Sequence, residues 1–185
     1  MCLDAVICND HVYRDRKTLV ITGERAEESS ARAKYKTFEP HRADLRDGKK
    51  YKRHIDHWRP VHGWSEERVW ETIERYKVNP AWAYQLGWHR LSCMTCIFAD
   101  DNQMKSAEYI DPHKVERMSD YEVQFQCSIH RTKYLSERLQ NAKPYTDMDP
   151  EIIKKALSKE YHDPIFTKDW KLPAGAFRKD SLGPT

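Results

Sequence analysis

Apolar residues fall along this chain in short, unevenly spaced groups, and one group reads clearly as a buried strand. Thr18–Thr22 (TLVIT) is β-branched and apolar and runs into Gly23, which predicts a strand with a turn at its carboxyl end. Glu24–Lys34 is polar and rich in Glu, Ser, Ala and Arg, as suits a loop entering a helix. No periodicity survives from Thr37 to His57; this charged run, with Pro40 and Gly48 inside it, reads as a long loop of the kind that is functional or mobile. Val6–Tyr13 and Gln103–Ile110 add short strand pieces at most.

Beyond that point the pattern turns helical. Ser65 is an N-cap candidate, Glu66 and Glu67 occupy the first turn, and Val69, Trp70 and Ile73 share one face. Ala81–Leu86 forms a short helical piece stopped by Gly87, and Cys93 and Cys96 come next on a turn. Ser119 with Glu122 makes a capping box for a helix running to about Leu139, and Asp149-Pro150 opens another that ends near Tyr161. The segment from Pro164 onward reads as a surface wrap. A single strand cannot satisfy its backbone alone, so the chain reads as part of an α/β domain, one or few core strands followed mostly by helices.

Composition narrows the function classes. At 185 residues the chain can bury one real core; 39% of its residues are apolar and 33% charged. The formal charge of +3 does not indicate nucleic acid by itself, although the basic run Arg42–Arg53 could touch phosphates. No window is apolar enough to span a membrane and the N-terminus carries no secretory pattern, so a cytoplasmic setting with reduced thiols is expected. The five cysteines, Cys2, Cys8, Cys93, Cys96 and Cys127, then read as metal, cluster or core positions before disulfides. Cys93-x-x-Cys96 has a chelating spacing, and Cys127 and His130, one turn apart on the expected helix, could complete a four-ligand zinc set.

Three blocks of sequence carry a family resemblance. ITGERAEESSAR (Ile21–Arg32) resembles a strand followed by Gly-x-Arg-x-x-Glu-Ser and a further Arg. HWRPVHGWSEERVWETI (His57–Ile73) resembles a Pro, then Trp-Ser, an acidic pair and Val-Trp. AYQLGWHRLSCMTC (Ala83–Cys96) resembles Tyr-x-x-Gly-aromatic-x-Arg-x-x-Cys-x-x-Cys. In this order they resemble the phosphoadenosine-phosphosulfate (PAPS) reductase family, over about residues 18–100. The resemblance implies a partial adenine nucleotide alpha-hydrolase-like (HUP-type) α/β domain in residues 1–100, with a helical extension over 101–185 packed on it.

It also implies roles. Gly23 would let the backbone approach a phosphate, Arg25 and Arg32 would hold phosphate or sulfate oxygens, and Glu28 and Ser29 would orient Arg25 and cap the next helix. The substrate would be ATP or PAPS, used in sulfonucleotide reduction or in ATP-dependent sulfur transfer. Some relatives bind an iron–sulfur cluster through the Cys-x-x-Cys pair and an upstream cysteine, here Cys2 or alternatively Cys8. QCSIH (Gln126–His130) is faintly similar to the motif bearing the reductases' catalytic cysteine, which makes Cys127 a candidate nucleophile. Trp64 and Trp70 read as packing residues, and Arg59 as either nucleotide-facing or on the surface. The family's Ser-Gly-Gly-x-Asp-Ser phosphate loop does not occur in this sequence, which holds only six glycines. A P-loop-bearing chain or N-terminal segment is therefore an expected partner, with a non-catalytic accessory subunit as the alternative.

Overall fold

A computed structural model describes residues 2–177, which fall into two compact units divided between Val69 and Trp70. The first holds helix α1 (Cys2–Asn9) and a three-stranded sheet of β1 (Lys17–Ile21), β2 (Phe38–Pro40) and β3 (His54–Trp58), in the order β1-β3-β2. β1 and β3 run parallel in the register Thr18↔Ile55, Val20↔His57 and Ile21↔Trp58, while β2 lies antiparallel with Glu39 opposite His57. Alternation then sorts the side chains. Val20, Ile55 and His57 share the covered face, where Ile7, Ala43 and Ile55 make the core. Leu19, Ile21, Phe38 and Trp58 share the other face and stay between 40% and 58% exposed.

The mixed α/β class expected from the sequence is the one observed, and the strand expected at Thr18–Thr22 forms one residue earlier. Three local readings are corrected. The stretch Thr37–His57 contains two strands rather than one long loop. β3 escapes a pattern search because only Ile55 is apolar among its inward residues; the other is His57, 8% exposed. Val6–Tyr13 and Gln103–Ile110, read as short strand pieces, are helical or 3₁₀ instead. The loop Glu24–Lys34 leads into two single 3₁₀ turns, Ala26–Glu28 and Arg32–Lys34, not a helix.

Helix α2 (Glu66–Arg75) starts in the first unit and continues in the second, which also holds α3 (Trp82–Gln85), α4 (Asp101–Ile110), α5 (Pro112–Phe125), α6 (Leu135–Gln140) and α7 (Pro150–Leu157). Its core has two parts. Ala99, Met104, Ala107, Val115 and Leu135 pack between α4, α5 and α6, while Leu86, Trp88 and Tyr145 pack with Ile152 and Ile153 of α7. The segment from Pro164 wraps back as expected: Trp170 Nε1 donates to Val78 O at 2.9 Å, and Gly175 N to Tyr84 O at 2.8 Å.

The helix expected from Ser119 to Leu139 is two helices. α5 opens at Asp111-Pro112, whose Asp111 carboxylate accepts from Lys114 N at 3.2 Å, the same Asp-Pro device that opens α7. It closes at Gln126 in the left-handed conformation. Glu122 is not a capping partner of Ser119. Its carboxylate, on a residue 2% exposed, accepts from Ile129 N at 2.8 Å and Leu135 N at 2.7 Å, and so folds the loop between α5 and α6.

Removing that carboxylate should leave two amides without acceptors. Glu122→Ala is expected to cost about 2–3 kcal/mol in urea unfolding, and Glu122→Gln, which keeps one acceptor oxygen, roughly half as much. An unchanged midpoint in both would mean that the loop holds without Glu122.

Candidate functional site

Because β1 and β3 are parallel, their carboxyl ends, Ile21 and Trp58, lie side by side, and Thr22 N extends the ladder by donating to Trp58 O at 3.1 Å. In open α/β sheets this end is where ligands sit. A cavity of about 400 Å³ opens here, lined by Thr22, Glu24, Glu39, His41, Arg42, His57 and Arg59 among others.

Arg59, 6% exposed, organises it. Its Nε donates to Glu24 Oε2 at 2.6 Å, and its Nη1 to Glu39 Oε1 at 2.7 Å and Lys36 O at 2.8 Å. Its Nη2 lies 3.0 Å from His57 Nδ1. A guanidinium only donates, so Nδ1 must accept, and His57 is neutral with its proton on Nε2. That proton points at Thr22 Oγ1, 2.8 Å away, and the Thr22 hydroxyl donates onward to Glu24 Oε2 at 3.2 Å. The Tyr35 ring covers Arg59, with the guanidinium carbon 4.8 Å from its centroid.

The electrostatics agree with this assignment. Burial, reinforced by the neighbouring Arg59 charge, pushes the His57 imidazole below its ordinary value. Burial would raise the Glu24 carboxyl, but the hydrogen bonds and charge of Arg59, with the Thr22 hydroxyl, outweigh it and hold Glu24 below the usual carboxylate range. Burial opposes the Arg59 charge too, yet its two carboxylate partners raise its pKa on balance.

Beside the cavity lies the turn that holds the expected phosphate-site residues. Arg25 Nη1 donates to Glu27 Oε2 at 2.9 Å and to Trp64 O at 3.2 Å, with Glu28 Oε1 3.7 Å from its Nε. Arg32 Nη1 donates to Glu28 Oε2 at 2.5 Å, and Ser29 Oγ accepts from Arg32 N at 3.1 Å. Glu28 therefore stands between the two arginines, and Ser29 braces Arg32 rather than a helix. Gly23 is exposed, and a Cβ built on it would meet nothing within 4 Å, so the space in front of it is open. The first two sequence blocks are stitched together here. Ala26 N donates to His62 O at 2.9 Å, and the Glu27 carboxylate accepts from Glu66 N at 3.0 Å at the start of α2.

The residues of the expected zinc set, Cys93, Cys96, Cys127 and His130, do not form a group. Among the described residues no group of three or more His, Cys, Asp or Glu side chains is placed to hold a metal ion. Cys93 is exposed, while Cys96 packs against the apolar core beside Met104. The expectation that Cys127 and His130 share a helix face is overturned, because α5 ends at Phe125; Cys127 is exposed in the loop, its Sγ 3.6 Å from Ser128 O. Cys8 is half-buried, with Arg53 Nη2 3.6 Å from its sulfur, and the side chain of Cys2 lies outside the described residues.

Thr22, Glu24, Glu39, His41 and His57 join the site without having been foreseen from the sequence, and Arg59, which stood between two readings there, is its buried centre. The available signal was the alternation of Ile55 and His57 in a stretch read as loop.

A parallel strand pair with a polar cavity at its carboxyl end defines part of an α/β nucleotide-type domain. Residues 9–99 match the phosphoadenosine phosphosulfate reductase domain family, and over this segment the chain belongs to that family. The chain is also 32% identical over 100 residues to a protein of Escherichia phage 186 described as "Uncharacterized 37.8 kDa protein in gpa 5'region". The match spans 54% of this chain and 28% of the phage protein. No solved structure matches. Among the described residues no helix is long and apolar enough to cross a membrane.

The depressed His57 and Glu24 groups predict stability lost in two stages on acidification. The His57 contribution is complete above the ordinary imidazole value, about 6.5, and is lost as pH falls below it toward the folded value. The Glu24 contribution is intact above the ordinary carboxylate value and goes as pH drops through its own, lower one. Melting temperature followed from about pH 8 to about pH 2, the range these groups span, should show both stages, and His57→Gln should remove the first alone. A variant that keeps the first stage would assign it to another group.

Proposed function

We propose that the chain supplies one side of an adenine-nucleotide site in a sulfur-metabolism enzyme. The nucleotide's phosphate or sulfate group sits against the turn Gly23–Arg25, held by Arg25 and Arg32, with Glu28 setting the spacing of the two cations. The observation that carries this reading is the parallel pair β1–β3, whose carboxyl ends open on a polar cavity beside an open glycine and an arginine-bearing turn. Buried Arg59, nearly saturated by Glu24, Glu39, Lys36 O and His57, acts as the frame that fixes the cavity wall. No step is assigned to a metal or cluster.

The nucleotide is PAPS if the reaction is sulfonucleotide reduction, and ATP if it is sulfur transfer. Calorimetry with each, on the full chain and with a P-loop-bearing partner present, separates the two, and binding of neither favours the accessory-subunit reading. Arg25→Ala should weaken the nucleotide that binds by about 1.5–3 kcal/mol, as for a charge-assisted hydrogen bond. Equal affinity in the variant would remove Arg25 from the site.

A P-loop-bearing segment, in this polypeptide or another, then adds a strand beside β1. Parallel sheets are stable with both faces covered, whereas here Ile21, Trp58 and Phe38 form an exposed apolar row across three strands. The chain by itself should therefore self-associate and bind an apolar dye, and Ile21→Lys with Phe38→Lys should abolish both without changing helical content. Light scattering that finds the unaltered chain a strict, dye-free monomer would refute the need for a covering partner.

A further inference from the structure

At the opposite end of the sheet, two basic runs far apart in sequence are joined. Arg14-Asp15-Arg16-Lys17 leads into β1, and Asp47-Gly48-Lys49-Lys50-Tyr51-Lys52 leads toward β3. Asp15 N donates to Lys52 O at 2.7 Å, His54 N donates to Arg16 O at 3.2 Å, and Lys17 stands opposite His54 in the parallel register. The second run is a closed loop, not a loose tail. Leu45 and Arg53 exchange backbone hydrogen bonds of 2.8 and 3.1 Å across its base. Gly48 is obligatory in it, since a Cβ there would lie 2.3 Å from Tyr51 O. Arg53, 6% exposed, ties the base to the core through Ala43 O at 3.3 Å and Cys8 O at 3.2 Å. The Arg14 guanidinium rests on the Tyr51 ring, 4.8 Å from its centroid, and Arg53 approaches the same ring at 5.5 Å.

Arg14, Arg16, Lys17, Lys49, Lys50 and Lys52 are all exposed, and among the described residues none of them makes an ion pair. Asp15 and Asp47 are the acidic residues within the two runs. Six cations against two carboxylates, in a chain whose net charge is only +3, means that the rest of the chain is slightly acidic. The positive charge is therefore concentrated on this surface rather than spread over the molecule.

We propose that this surface binds the phosphodiester backbone of nucleic acid. Clustered, unpaired cations on an ordered scaffold are what counterion release rewards. Arg14, stacked on Tyr51, offers its N–H edge to a phosphate with its plane already fixed. A membrane surface is the weaker match, because among the described residues the patch is carried by strand ends and a closed loop rather than by an amphipathic helix. The site lies at the amino ends of the strands, away from the proposed nucleotide cavity, and its existence does not depend on that reading.

The test is fluorescence anisotropy of a short labelled DNA duplex with the full chain, over a salt series. Binding should occur at low salt, and the logarithm of the affinity should fall linearly with that of salt by about 0.9 for each phosphate neutralised. Arg14→Ala with Arg16→Ala and Lys17→Ala, and separately Lys49→Ala with Lys50→Ala and Lys52→Ala, should each weaken binding at least about tenfold and flatten the slope by roughly 1 for each phosphate no longer neutralised. Lys133→Ala with Lys154→Ala and Lys159→Ala removes the same charge elsewhere and should leave binding unchanged. Circular dichroism of every variant checks folding, since all the substituted side chains are exposed. The proposal fails if the unaltered chain does not bind, if the control triple weakens binding as much as the patch triples, or if vesicles of phosphatidylserine bind as tightly and with the same dependence on the patch.

Discussion

A buried guanidinium is tolerable only when its hydrogen bonds and its charge are both answered, and Arg59 dictates much of the first unit on that account. Its partners come from the turn after β1, from β2, from the segment before β2 and from β3 itself. Each is placed by a different stretch of chain, so the charge can be satisfied only when the three strands are in register. The same contacts settle the tautomer of His57 and the ionisation of Glu24. A structural demand and an electrostatic one are met by one side chain.

The turn beside it obeys similar logic with smaller, more exposed charges. Glu27 answers both Arg25 and the open amide of Glu66, and Glu28 answers both Arg25 and Arg32. This explains why the first two sequence blocks travel together: one supplies acids and bases, the other a carbonyl and a helix start. Exposed pairs of this kind contribute little to stability individually. Their value lies in holding the arginines at fixed positions.

Much of the architecture could be read from the sequence where the physical signal was local. Thr18–Thr22 announced its strand through β-branching, and Asp149-Pro150 announced its helix through a cap and a ring. Asp111-Pro112 sends the same signal and was overshadowed by the Ser119–Glu122 spacing, which mimics a capping box while Glu122 in fact serves the loop beyond. The residues of the Gly23–Arg32 turn were found through a family likeness. The Arg59 network was not, because its acids stand 35 and 20 residues away along the chain, and no short-range pattern encodes such a meeting. Of the basic surface, the run Arg42–Arg53 was visible in the sequence, whereas its junction with Arg14–Lys17 was not, for the same reason.

The two borders of the sheet are unequal. β2 is three residues long and ends in Pro40, which has no N–H to offer a neighbour, so that border is chemically blunt. β1 has five residues, no proline, and β3 on one side alone among the described strands. Lateral growth of this sheet thus has a direction built into it. A further strand could pair along β1 far better than along β2, so the open border of this sheet is one-sided.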